Sequence, residues 1–68
     1  MQTIGEERIR VTFNPSQDPD VREVKNICAN LIDFLEVSDG SPERVRCLKI
    51  AQDRIEEAAM WAVKGLTA

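Results

Sequence analysis

Apolar positions in this chain follow three patterns, and each pattern predicts an element. In the last third, Leu48, Ala51, Ile55, Ala58, Ala59, Ala62 and Leu66 recur at spacings of three and four, which places them on one stripe of a helix. Ser41-Pro42-Glu43 supplies its start: a side-chain cap, a proline at a position whose N–H has no partner anyway, and an acid at the positive helix end. No further proline interrupts the run, and its only glycine, Gly65, comes near the end, so a helix is predicted over 41–67. Ala51, Ala58 and Ala62 leave room for a partner helix to come close. Ile50 and Trp61, eleven residues apart, share a different face, and Val45, Met60 and Val63 add apolar surface on a third side. A helix that is apolar on several sides is covered from several sides, and in so short a chain the second cover is expected to be another copy.

Asp18-Pro19-Asp20 repeats the same start signal and opens a helix over 18–37. Val21, Val24, Cys28, Leu31 and Leu35 form a seam resembling that of a coiled coil, widened by Ile27, Ile32 and Phe34. Arg22, Asn26, Ala29, Asn30 and Asp33 are expected on the opposite face, with Lys25 and Glu36 at its margin. Ser38-Asp39-Gly40 reads as a turn, and so short a link makes the two helices antiparallel neighbours. Before them, Arg8 to Asn14 alternates: Ile9, Val11 and Phe13 on one side, Arg8, Arg10 and Thr12 on the other. That pattern reads as extended, residues 1–7 carry no periodicity, and 14–19 with its two prolines is a loop. The expected fold is therefore all-α: one domain over 1–68, an antiparallel helical hairpin with a short extended N-terminal arm and loop over 1–17.

Composition turns this hairpin into an oligomer. Sixty-eight residues with two Phe and one Trp hold few large side chains for a core. Burying a Leu or Phe contributes roughly 1.5–3 kcal/mol, against roughly 1–2 kcal/mol of backbone entropy for every residue ordered. A lone two-helix chain does not balance those terms, so an obligate homo-oligomer is expected. A net charge of −3 argues against a general DNA or RNA binder. No apolar run approaches the ~20 residues needed to span a bilayer, and the first residues lack the pattern of a signal peptide. A soluble, cytoplasmic protein without membrane partners is expected. Cys28 and Cys47 form neither a disulfide framework nor a CxxC pair, and read as small apolar side chains.

The chain has no histidine and no tyrosine, and its carboxylates fall at caps and on solvated faces, so it is not expected to be an enzyme or to hold a metal or cofactor. Binding is what its chemistry offers. Arg8 and Arg10 beside Phe13 suit a phosphate next to a stacked base, though composition alone favours the plainer reading, solvated arginines on an edge that resists aggregation. Lys25 reads by default as a charge flanking the seam, and Lys64 as a cation at the negative helix end. Trp61 reads as an interface anchor.

The segment Glu56-Glu57-Ala58-Ala59-Met60-Trp61-Ala62-Val63-Lys64, together with Arg-Val-Thr-Phe-Asn-Pro-Ser at 10–16, resembles the phage anti-CBASS protein 2 family, and the resemblance runs from about Gly5 to Ala68. It implies a hexamer of hairpins that sequesters cyclic dinucleotide messengers of antiphage signalling without cleaving them, in the cytoplasm of the infected bacterial host. It further implies a dinucleotide site built on Phe13 and Lys25; Arg10, Asn14 and Arg8, close to Phe13 in the chain, complete the expected set. A separate site for cyclic trinucleotides would use Lys64, and Ile50, Trp61 and Val63 are expected at the oligomer interface. Phe13 stands where the family can carry a tyrosine, so it stacks without donating a hydroxyl hydrogen bond. Lys64 likewise lacks the planar fork of an arginine. The alternative reading is a structural or adaptor hairpin that binds a protein partner through the Ile50/Trp61 face.

Overall fold

A computed structural model describes residues 1–37 and 39–68, in three helices: α1 (Ile4–Ile9), α2 (Pro19–Leu35) and α3 (Pro42–Leu66). α2 and α3 pack as a hairpin, and α1 lies across it, chiefly on α2. Asp18 caps α2 by accepting from the N–H groups of Asp20 and Val21, and Ser41 caps α3 by accepting from Arg44. Of the predicted turn, Ser38 lies outside the described residues, while Gly40 adopts a φ of 100° that favours glycine.

The extended N-terminal arm is corrected: its first part is helical. Thr3 caps α1, its hydroxyl accepting from Glu6 N–H while the Glu6 carboxylate accepts from Thr3 N–H, a complete capping box. Arg10 ends the helix in the left-handed region (φ 60°, ψ 55°). The alternation of Ile9, Val11 and Phe13 comes from a helix end followed by turns, which a run of three apolar positions does not distinguish from a strand. Ile9 is buried with Ala29, Ile32 and Ala59, and this tertiary contact, absent from any local pattern, holds the segment helical.

A second correction concerns which side of α2 faces inward. Val21, Lys25, Ala29 and Ile32 are its buried residues, so Ala29 and Lys25 move from the expected polar face and margin to the interior. Leu31 of the expected seam is 44% exposed, beside Ile27 and Phe34. The cause is α1. A Cβ on Gly5 would lie 2.1 Å from the Ala29 carbonyl oxygen, so the two helices touch where both side chains are minimal. Gly5 N–H donates to Asp33 Oδ1 at 2.7 Å, placing a carboxylate at the positive end of α1.

On α3 the buried positions are Ala59 and Gln52, with Ala51, Ile55 and Ala62 half-buried and Ala58 exposed. Gln52 Nε2 donates to Ile32 C=O at 3.1 Å, a buried polar tie between the long helices. Among the described residues the buried apolar ones are few, and two of the five are alanines: Ile9, Val21, Ala29, Ile32 and Ala59.

Candidate functional site

The segment joining α1 to α2 presents the candidate ligand residues. Its geometry follows from two turns. Arg10 N–H donates to Glu6 C=O (2.9 Å), and Phe13 N–H closes the next turn on Arg10 C=O (2.9 Å). Asn14 staples the second turn: its Nδ2 donates to Asp18 C=O (3.1 Å), and its Oδ1 accepts from Asp18 N–H (3.3 Å) and Ser16 Oγ (3.3 Å). Asn14 thus shapes the loop with the same atoms a ligand contact would use.

Lys25 reaches the loop from α2. Its residue is 7% exposed, and Nζ donates to Arg10 C=O at 3.1 Å and to Phe13 C=O. Burial, and then the nearby Arg10 charge, push the ammonium below its usual pKa. An ammonium has three donors, so two are engaged with the loop and one is left for an incoming acceptor. Phe13, by contrast, is 57% exposed, and its ring has the Arg10 guanidinium 5.1 Å and the Lys25 Nζ 5.5 Å from its centroid. Both are within the range of a cation–π contact.

Phe13, Arg10 and Lys25 border a groove of about 340 Å³ whose far wall is Ala59, Met60 and Val63 of α3. That size and mix, mostly apolar walls with a few charged groups, suits a small ligand. Arg8 and Glu56 also line it. Arg8 Nε donates to Glu56 Oε1 and Nη2 to Asp53 Oδ1, each at 2.8 Å, clasping α1 to α3. The hydrogen bond to Glu56 raises the already high pKa of the guanidinium further, and the Asp53 bond and both carboxylate charges add to it, against an opposing burial effect. Arg8 enters the site as half of an ion pair.

Sequence reading brought Arg8, Arg10, Phe13, Asn14 and Lys25 together as one set, and all but Asn14 line this groove. Asn14 borders a separate, more polar depression with Thr12, Gln17, Arg22 and Asn26. Val63, assigned to an interface, also lines the first groove. Lys64 stands apart in the last turn of α3, its Nζ 4.9 Å from the centroid of the Trp61 ring. Ile50 and Trp61 are exposed, at 40% and 62%. Glu56 and Met60 were not among the residues singled out for the site. The available signal was their spacing, since 56, 59, 60 and 63 share one helix face.

Among the described residues, no group of three or more His, Cys, Asp or Glu is placed to hold a metal, and no helix is long and apolar enough to cross a membrane. Both cysteines are free. Cys28 is half-buried, its thiol pKa raised by burial, and Cys47 is exposed rather than packed away.

Fold and site together define a small all-α hairpin with an accessory N-terminal helix and a cation-flanked aromatic groove. A family model, Acb2/Tad1, hairpin domain, matches residues 4–67, and the chain belongs to that family. Comparison with curated proteins and with solved structures returned no match.

Proposed function

We propose that the protein is a phage counter-defence sponge that sequesters cyclic oligonucleotide messengers in the cytoplasm of the infected bacterium, without cleaving them, and so keeps CBASS effectors inactive. The observation that carries this reading is the exposed Phe13 ring bordered by Arg10 and Lys25, in a chain of the Acb2/Tad1 hairpin family. A base stacks on the ring, and the phosphate meets the two cations. No step of bond cleavage is part of this function.

Affinity is the demanding part. A sponge that outcompetes a receptor needs the nanomolar range, about −12 kcal/mol, while a charge-assisted hydrogen bond contributes roughly 1.5–3 kcal/mol. One Lys25 with one remaining donor falls short. In a homo-oligomer, a two-fold axis brings a second Phe13 and Lys25 to a ligand that itself has two phosphates. A hexamer supplies three such sites, and each end of its three-fold axis would gather three copies of Lys64 around a cyclic trinucleotide. Ile50 and Trp61, exposed on one chain, are the surfaces assigned to those contacts.

Native mass spectrometry of the protein, alone and with a panel of cyclic di- and trinucleotides, tests the reading. Six chains carrying three intact dinucleotides, or two trinucleotides, is the expected result. A monomer or dimer that binds none of the panel would refute it, and would favour a hairpin that docks a protein partner through Ile50 and Trp61.

A further inference from the structure

The groove carries charges of both signs. Arg10 and Lys25 gather beside Phe13, whereas the Arg8 cluster sets one guanidinium against two carboxylates, Asp53 and Glu56, and is net negative. Of those carboxylates only Glu56 lines the groove. Its Oε1 accepts from Arg8 Nε at 2.8 Å, and among the described residues its Oε2 has no hydrogen-bond partner. The side chain is 39% exposed, open to a ligand yet partly shielded from water.

A carboxylate is an acceptor and nothing else, so it selects for donors. Resting on the sponge reading, we infer that Glu56 is a specificity-determining residue: it accepts from the amino-bearing edge of a base stacked on Phe13, and so favours guanine over uracil. Guanine offers adjacent N–H donors, from N1 and the exocyclic N2, matched to the two oxygens of one carboxylate. Uracil offers a single N3–H flanked by two carbonyl oxygens, which repel the carboxylate. The phosphates go to Arg10 and Lys25, so one nucleotide satisfies both kinds of charge in one orientation. Arg8 contributes by partly neutralising Glu56, which lowers the repulsion a second anion in the groove would meet.

Glu56 also helps clasp α1, so its ligand role must be separated from its structural one. Asp53 provides the separation, because it holds the same arginine at the same distance without lining the groove. The experiment is isothermal titration calorimetry of the unaltered protein, Glu56→Gln and Asp53→Asn with cyclic di-GMP and cyclic di-UMP. The unaltered protein is expected to favour cyclic di-GMP by about tenfold or more, as for loss of one charge-assisted hydrogen bond. Glu56→Gln should bring that ratio close to one by weakening the guanine ligand alone, and Asp53→Asn should keep it. Equal affinity of the unaltered protein for both ligands would overturn the inference and leave the sponge reading standing, and needs no variant to fold. Equal weakening of both ligands by Glu56→Gln would also overturn it. Failure to bind either of these ligands or any other cyclic oligonucleotide would overturn both.

Discussion

Replacing Lys25 with methionine is the perturbation that most directly tests how the loop is held. Methionine keeps a stem of similar length against α2 and removes the ammonium, and with it the hydrogen bonds to the carbonyls of Arg10 and Phe13. Two charge-assisted bonds at roughly 1.5–3 kcal/mol each set an upper limit of about 3–6 kcal/mol. Two effects reduce it. Water reaches the freed carbonyls at a surface turn, and the buried ammonium, whose pKa is lowered because burial disfavours its charge, is no longer desolvated. A net loss of about 1.5–3 kcal/mol is expected, and at about 4–8 °C per kcal/mol for a domain of this size the melting temperature should fall by about 6–24 °C. The assay is thermal unfolding by circular dichroism at one fixed protomer concentration, because self-association would make the transition concentration-dependent. Amide exchange adds a local readout: the Phe13 N–H, bonded to Arg10 C=O, should exchange faster once the turn is released. A melting temperature within about 2 °C of the unaltered protein, with the Phe13 amide equally protected, would refute the claim that Lys25 braces the loop.

Four further outcomes follow from the same structure. Gly5→Ala puts a Cβ 2.1 Å from the Ala29 carbonyl oxygen, so α1 must lift, and a loss of about 1–3 kcal/mol is expected in urea unfolding; Gly65→Ala, whose Cβ would meet nothing within 4 Å, should be neutral or slightly stabilising. The lowered pKa of Lys25 means that the unfolded chain binds more protons between that folded value and the ordinary 10.5, so this group's contribution to stability rises with pH across that window. Phosphate affinity should fall over the same window as the ammonium is lost, and the Lys25→Met variant should lack the stability slope in pH-dependent unfolding. Trp61→Glu, on an exposed apolar face, should shift the native mass towards smaller species. Lys64→Glu should abolish trinucleotide binding in calorimetry while sparing dinucleotides; loss of both together would merge the two proposed sites.

The hairpin was legible because its start signals are local. Asp18-Pro19 and Ser41-Pro42 each combine a side-chain cap with a proline in the first turn, and both caps form. The capping box at Thr3 and Glu6 was just as local, yet the alternation at Ile9, Val11 and Phe13 pointed to an extended segment. What the pattern lacked was α1's contact with Ala29: a glycine and an alanine carry no hydrophobic signal, although their smallness decides which side of α2 is covered. That rotation is why Lys25 is buried and braced and Leu31 is not. Arg10, Phe13 and Lys25 were picked out by residue type and by family resemblance, and the structure brings them to one groove. Glu56 was dismissed as a solvated carboxylate because its pairing with Arg8 spans 48 residues of sequence.

The inward rotation of α2 also decides which apolar residues are left outside. At about 100° per residue, Ile27, Leu31 and Phe34 fall on the side of α2 roughly opposite Lys25, and Ile50 and Trp61 fall on the side of α3 away from Ala59 and Val63. These residues are exposed, Phe34 at 81%, and together they form the apolar outer faces of the two long helices. A copy docking on them would bury that surface without filling the groove, because the groove opens on the other side of both helices. Self-association through this face is therefore sterically compatible with ligand binding, and a hexamer that uses it leaves the groove side free for the separate two-fold contact that pairs two Phe13 and Lys25 sets. Breaking the oligomer with Trp61→Glu should then weaken dinucleotide affinity although Trp61 does not line the groove. Undiminished affinity in a dissociated Trp61→Glu variant would mean that one chain holds the whole site.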